Sequence, residues 1–148
     1  PWHANVGKRL VKSPRIYIRD SGFLHALLNI SSLDELLGHP IVGDSWEGHV
    51  IENLISVYTE QRYTPYFYRT QTGAEIDLVF EKSGVPKIAI EIKRSSAPKP
   101  AKGFHIACDD LGIEEKYLVY PGDTTYQRSS GVTVIPLHEL MQKARSFT

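Results

Sequence analysis

Two neighbouring stretches, AEIDLVFE (residues 74–81) and PKIAIEIKRS (86–95), alternate apolar with polar or small side chains across the turn-forming KSGVP. Period-two alternation marks strands with one face on a core, and the Gly-containing break predicts an antiparallel hairpin. TPYFYRT (64–70) precedes them across TQTG and extends the hairpin to a three-stranded meander. Such a sheet must be covered, so the rest of the chain has to supply helices. Alternation puts Ile76, Leu78 and Phe80 on one face, with Glu75, Asp77 and Val79 on the other. It likewise puts Ile88, Ile90 and Ile92 opposite Ala89, Glu91 and Lys93. The apolar faces belong to the core, which brings Asp77, Glu91 and Lys93 together on the second face. Asp is depleted from strands, and charges inside a fold are costly unless paired or bound to a metal.

The remaining elements follow from pattern. SWEGHVIENLISVYTEQR (45–62) is the strongest helical stretch. KPAKGFHIACDDLGI predicts a helix from about Pro100, EKYLVYPG a strand, and VTVIPLHELMQKARS a short strand leading into a closing helix. Upstream, RIYIRD reads as a strand, DSGFLHALLNI as a short helix, and SSLDELLG as a second with a capping box from Ser32 to Glu35. The expected fold is α/β, a central mixed sheet with helices on both faces. Residues 1–40 form a basic segment with short helices, a remnant of a preceding region, and residues 41–148 the domain itself. The chain starts at Pro1, which fits a piece of a longer protein.

The long helix adds a further acid. At about 100° per residue, Trp46, Val50, Ile51, Leu54, Ile55 and Tyr58 share an apolar face. Glu47 falls within that face and Glu52 roughly opposite, towards solvent. An acid on a core-facing stripe breaks a local rule, and such breaks gather at functional sites. Glu47, Asp77 and Glu91 are hard oxygen donors that suit Mg²⁺ or Mn²⁺, and the Ile92 carbonyl is a further candidate ligand. A cation held this way polarises a phosphate and activates water, with Lys93 placed to assist the attack. The competing reading is a salt bridge from Asp77 or Glu91 to Lys93 across the sheet.

Other features narrow the function. Lysines and arginines number 17, as do aspartates and glutamates, so the formal net charge is zero. A nucleic-acid partner would then need a local patch. Residues 86–104 hold Lys87, Lys93, Arg94, Lys99 and Lys102 against Glu91, an excess that can contact phosphates. The run YTEQRYTPYFYR, with Arg62 and Arg69, reads either as strand packing or as a stacking platform for single strands. Arg69 is also near enough in sequence to balance the acids. A single cysteine, Cys108, excludes an internal disulfide framework and fits a reducing cytoplasm. No apolar run approaches a membrane span. His spacing does not suggest zinc, and there is no phosphate-binding G-x-x-x-x-G-K-[ST] sequence or nucleophile elbow.

Glu47, Asp77 and Glu91-Ile92-Lys93 resemble the hallmark of the PD-(D/E)xK nuclease superfamily, with Ile76 where the motif name has Pro. Over most of residues 7–104, the stretches KRLVKSPRIYIRDSGFLHALL, WEGHVIENLI, FYRTQTGAEIDLVF and IAIEIKRS resemble the C-terminal domain that follows the ATPase domain of many bacterial and archaeal AAA-type proteins. In that family the equivalents of Glu47, Arg69, Asp77, Glu91 and Lys93 belong to the recurring pattern. The resemblance implies a restriction-endonuclease-like three-layer fold and an ATPase upstream in the same polypeptide. Two functions follow as expectations. One is Mg²⁺- or Mn²⁺-dependent phosphodiester hydrolysis on DNA, with Glu47, Asp77, Glu91 and Lys93 catalytic and Arg69, Arg94, Lys99 and Lys102 on nucleic acid. The other is a non-catalytic module docking DNA or protein for the ATPase.

Overall fold

The computed structural model describes Leu10, Ser13 and residues 42–146. The expected RIYIRD strand and the two short helices before residue 40 lie outside the described residues. The strongest helical stretch forms α1, Val42–Glu60. Its 3.6-residue period buries Val50, Ile51, Leu54, Val57 and Tyr58, with Trp46 and Ile55 partly buried against the same cluster.

Strands β1 (Thr64–Arg69), β2 (Glu75–Lys82) and β3 (Val85–Ile92) form the antiparallel meander. The β2–β3 link is Ser83 and Gly84, at φ 57° and 79°. Two consecutive left-handed residues are what a primed type I hairpin turn requires. Helix α2 (Lys102–Leu111) then crosses over to β4 (Glu115–Tyr120), which lies parallel to β3. Strand β6 (Thr133–Pro136) is parallel to β4, and the two-residue β5 (Tyr126–Gln127) pairs antiparallel with β6. Helix α3 (Leu137–Arg145) continues directly from β6. The sheet is six-stranded and mixed, in the order β1-β2-β3-β4-β6-β5. The sequence reading lacked β5, since two residues show no period.

Helices α1 and α3 cover one face, meeting Leu78, Phe80, Ile88, Ile90, Ile92, Tyr117 and Val119. Helix α2 covers the other, where Phe104, Ala107 and Cys108 meet Ile76, Val79, Ala89 and Leu118. The expected α/β arrangement, with helices on both faces of a mixed sheet, is present.

The face assignments of Glu75 and Ile76 are corrected. Ile76 is buried on the α2 side with Val79, whereas Leu78 and Phe80 lie on the α1 side. The cause is an extra residue in β2. Pairing with β1 steps from Tyr66↔Val79 to Tyr68↔Ile76, two residues on β1 against three on β2. A bulge of this kind shifts alternation by one, so the residues before it change face. It falls at Asp77–Leu78.

Candidate active-site cleft

The bulge sits where β2 and β3 part. Their ladder ends at Leu78↔Ile90. Beyond it, the Lys93 N–H donates to Val119 O on the β4 side at 2.9 Å. Successive amides of a strand point to opposite sides, so the Ile92 N–H faces β2. Asp77 Oδ2 accepts it at 2.9 Å. A side-chain carboxylate thus replaces the main-chain acceptor a continuing ladder would offer, and one oxygen of Asp77 is tied to the end of β3.

Glu91 is only 4% exposed. Its Oε1 and Oε2 accept the Ala101 N–H at 3.2 and 3.0 Å, and Lys93 Nζ stands 3.0 Å from Oε1. Ala101 is the N-cap of α2. The buried carboxylate therefore lies against the positive end of a helix dipole, with an amide and an ammonium on it. This answers the charge problem posed by the IEIK run: the acid in the strand is held by the start of the helix that follows it.

These groups border one cleft of about 310 Å³, enough for a hydrated cation and a phosphate group. Glu47 enters from α1, Glu75 and Asp77 from β2, Glu91 and Ile92 from β3, and Lys93 from just beyond it. The backbone at Gly73 and around Ala101–Gly103 forms the wall. All of the acids singled out in the sequence, with Ile92 and Lys93, are thus brought to one place, whereas Glu52 does not line it. The lining holds four carboxylates against one ammonium, and a concave site of that sign concentrates cations.

Among the described residues, no group of three or more His, Cys, Asp and Glu side chains is gathered closely enough to hold a metal ion. A closed protein cage is thus not found among the described residues. Mg²⁺ rarely needs one, since it keeps several waters and takes one or two carboxylates plus substrate oxygens. Asp77 and Glu91, with the Ile92 carbonyl alongside, fit that looser donor set.

The candidate phosphate contacts are placed unevenly. Arg69 Nε lies 3.6 Å from Glu75 Oε2, so its charge is partly balanced within the cleft wall. Arg94, Lys99 and Lys102 are exposed on the segment joining β3 to α2 and on the first turn of that helix.

Three residues of this region escaped the sequence reading. Glu75 is a strand acid two residues before Asp77 to which the sequence pattern assigns no role. A glycine inside a helical pattern is less favourable than alanine and so signals a packing reason, and Gly103 is one. Arg128 donates from Nη1 to Pro98 O at 3.2 Å, pinning the β3–α2 segment from 30 residues away, and nothing in the local pattern announces it. Cys108 faces the α2-side core, and burial pushes its thiol up to about 12, so it is an inert hydrophobe rather than a nucleophile.

Comparison with known proteins places these features in a family. An uncharacterised protein of Mycobacterium tuberculosis, Rv2008c, and one of Mycobacterium bovis, Mb2031c, are each 41% identical to this chain over 141 residues. The match takes in 95% of the chain but spans only 31% of the length of either relative. No solved structure matches. A second model, the domain of unknown function DUF8612, matches residues 1–34. Residues 42–140, holding α1, the whole sheet and the start of α3, match the model described as a domain of unknown function, DUF4143, and the chain belongs to that family.

Proposed function

We propose that this domain is a metal-dependent phosphodiesterase acting on DNA, with a restriction-endonuclease-like version of the α/β fold. One observation carries the reading: acids from α1, β2 and β3 meet Lys93 in a single cleft. A DNA backbone entering so acidic a cleft is repelled unless a divalent cation stands between, and the donors present are the oxygens such a cation prefers. Asp77 and Glu91 would hold Mg²⁺ or Mn²⁺, with the Ile92 carbonyl as a further ligand and Glu47 across the cleft. The bound ion would supply Lewis-acid polarisation of the phosphate and a nucleophile at neutral pH. Lys93, freed from Glu91, orients the attacking water and offsets charge developing on phosphorus. Arg94, Lys99 and Lys102 hold flanking phosphates. That the chain spans less than a third of its relatives supports a place within a larger polypeptide. An ATPase in that same polypeptide is part of the proposal.

The contacts Glu91 already makes favour a second reading, in which the acids only brace α2 and the domain docks DNA or protein without cutting. Calorimetric titration with Mn²⁺ separates the two, run beside nicking of supercoiled plasmid with Mg²⁺ or Mn²⁺. The enzyme reading expects Mn²⁺ uptake that Asp77→Ala abolishes and nicking that Glu91→Gln abolishes. A folded wild-type domain that takes up no Mn²⁺ at millimolar concentration leaves the docking module in its place.

A further inference from the structure

The wall of the cleft formed by α2 depends on one residue. A Cβ built on Gly103 would overlap the carbonyl oxygen of Gly73, far inside van der Waals contact, and stand 3.6 Å from the Ala74 Cα. The obstacle is backbone, not the end of a flexible side chain, so it cannot swing aside. Nor is the Gly73 turn free to retreat. Thr70 N donates to Ala74 O at 2.9 Å, Ala74 N donates to Thr70 Oγ1 at 3.0 Å, and Gly73 itself sits at φ 90°. The first turn of α2 therefore rests on the β1–β2 turn main chain to main chain. Two residues earlier, the Ala101 N–H reaches Glu91. Helix propensity alone would favour alanine over glycine at position 103; contact with the sheet opposes it.

We infer that Gly103 is a positioning residue for Glu91. By admitting backbone contact between α2 and the β1–β2 turn, it keeps the Ala101 amide on the Glu91 carboxylate and sets the width of the cleft between Asp77 and the helix. A side chain at 103 pushes the start of α2 outward, takes the amide off Glu91 and leaves Lys93 as its remaining partner. The consequence for metal uptake rests on the phosphodiesterase reading; the amide contact does not.

The experiment compares Gly103→Ala with wild type by ¹⁵N-resolved NMR and amide exchange in metal-free buffer, then by Mn²⁺ titration. Gly43→Ala is the control, since nothing lies within 4 Å of a Cβ there. In Gly103→Ala the Ala101 amide resonance shifts and its exchange quickens by about tenfold or more, while amides of β4 and β6 hold their protection. Mn²⁺ affinity falls at least about tenfold, the size of effect seen when groups supporting a metal ligand are removed. Gly43→Ala changes neither. Should Gly103→Ala fail to fold, the wild type still decides: close contacts between the Gly103 and Ala74 α-protons are required, and their absence overturns the inference. A folded Gly103→Ala with an unmoved Ala101 amide overturns it as well. If wild type takes up no Mn²⁺ yet the Ala101 amide responds, the metal reading fails and the role of Gly103 stands.

Discussion

Glu91 and Asp77 each do two things, and conservative substitutions pull them apart. Both carboxylates accept a backbone N–H at the point where β3 ends. Removing one leaves a partly buried amide without its partner, which costs about 1–3 kcal/mol. Asn and Gln keep an acceptor oxygen and lose the charge. Urea unfolding should therefore show Asp77→Ala and Glu91→Ala destabilised by about that amount, with Asp77→Asn within about 0.5 kcal/mol of wild type. A Asp77→Asn variant as unstable as Asp77→Ala would mean that charge, not the Ile92 hydrogen bond, is what the fold requires there. The acids were legible because each is a charge flanked by apolar strand residues, Asp77 between Ile76 and Leu78 and Glu91 between Ile90 and Ile92. What was not legible is how they are held. The partners of Glu91 are an amide ten residues on and a lysine two residues on, and only Lys93 was visible as a pattern. Gly103 and Arg128 each meet a main-chain carbonyl, of Gly73 and of Pro98, and no residue pattern names those partners.

Elements were read well where they are long and regular. The central helix, the three meander strands, α2, β4 and the β6–α3 unit all lie where the periodicity put them, with ends moved by a few residues. One failure, the short β5, comes from a strand of too few residues to show a period, and the other from a single insertion. The bulge at Asp77–Leu78 adds one residue and moves Ile76 to the other layer, a change invisible to a template of fixed period two. The layer can be tested by coupling. Ile76 and Phe104 belong to the α2-side cluster, whereas Leu54 belongs to the other. A double-mutant cycle of Ile76→Ala with Phe104→Leu should show an interaction of about 0.5 kcal/mol or more, and Ile76→Ala with Leu54→Ala should be additive. Coupling to Leu54 in place of Phe104 would restore the unbulged strand. Helix α2 ends as its sequence suggests, at Gly112, φ 63°, whose N–H returns to the Asp109 carbonyl at 3.2 Å. Gly112→Ala should cost about 1 kcal/mol by thermal unfolding, through the left-handed backbone alone.

At the scale of the molecule, one sheet divides two cores among the described residues, and the α2-side core contains groups that resist ionisation. Burial pushes the Cys108 thiol up from 9.0 to about 12. Burial, then the nearby Asp110 carboxylate, pushes the Tyr68 phenol up from 10.0 to about 12. Both are neutral in folded and unfolded chains below pH 9, where their contribution to stability is complete. Above it the unfolded chain ionises first, so stability is lost progressively between about pH 9 and 12. Denaturant midpoints measured at pH 8 and pH 10.5 should fall accordingly, and Cys108→Ala should flatten the fall; an unchanged midpoint would mean that the thiol is not buried as described. Among the described residues, no helix is long and apolar enough to cross a membrane. The chain spans only 31% of the length of the mycobacterial relatives it matches, a proportion that its own residues do not announce. The segment between β3 and α2 is fastened at Lys93 to β4, at Pro98 by Arg128, and at Ala101 by Glu91. A strap buckled at both ends and in the middle does not swing like a jaw. Among the described residues the mouth of the groove is already open, and a ligand's arrival there should be governed by diffusion and charge rather than by waiting for a hinge.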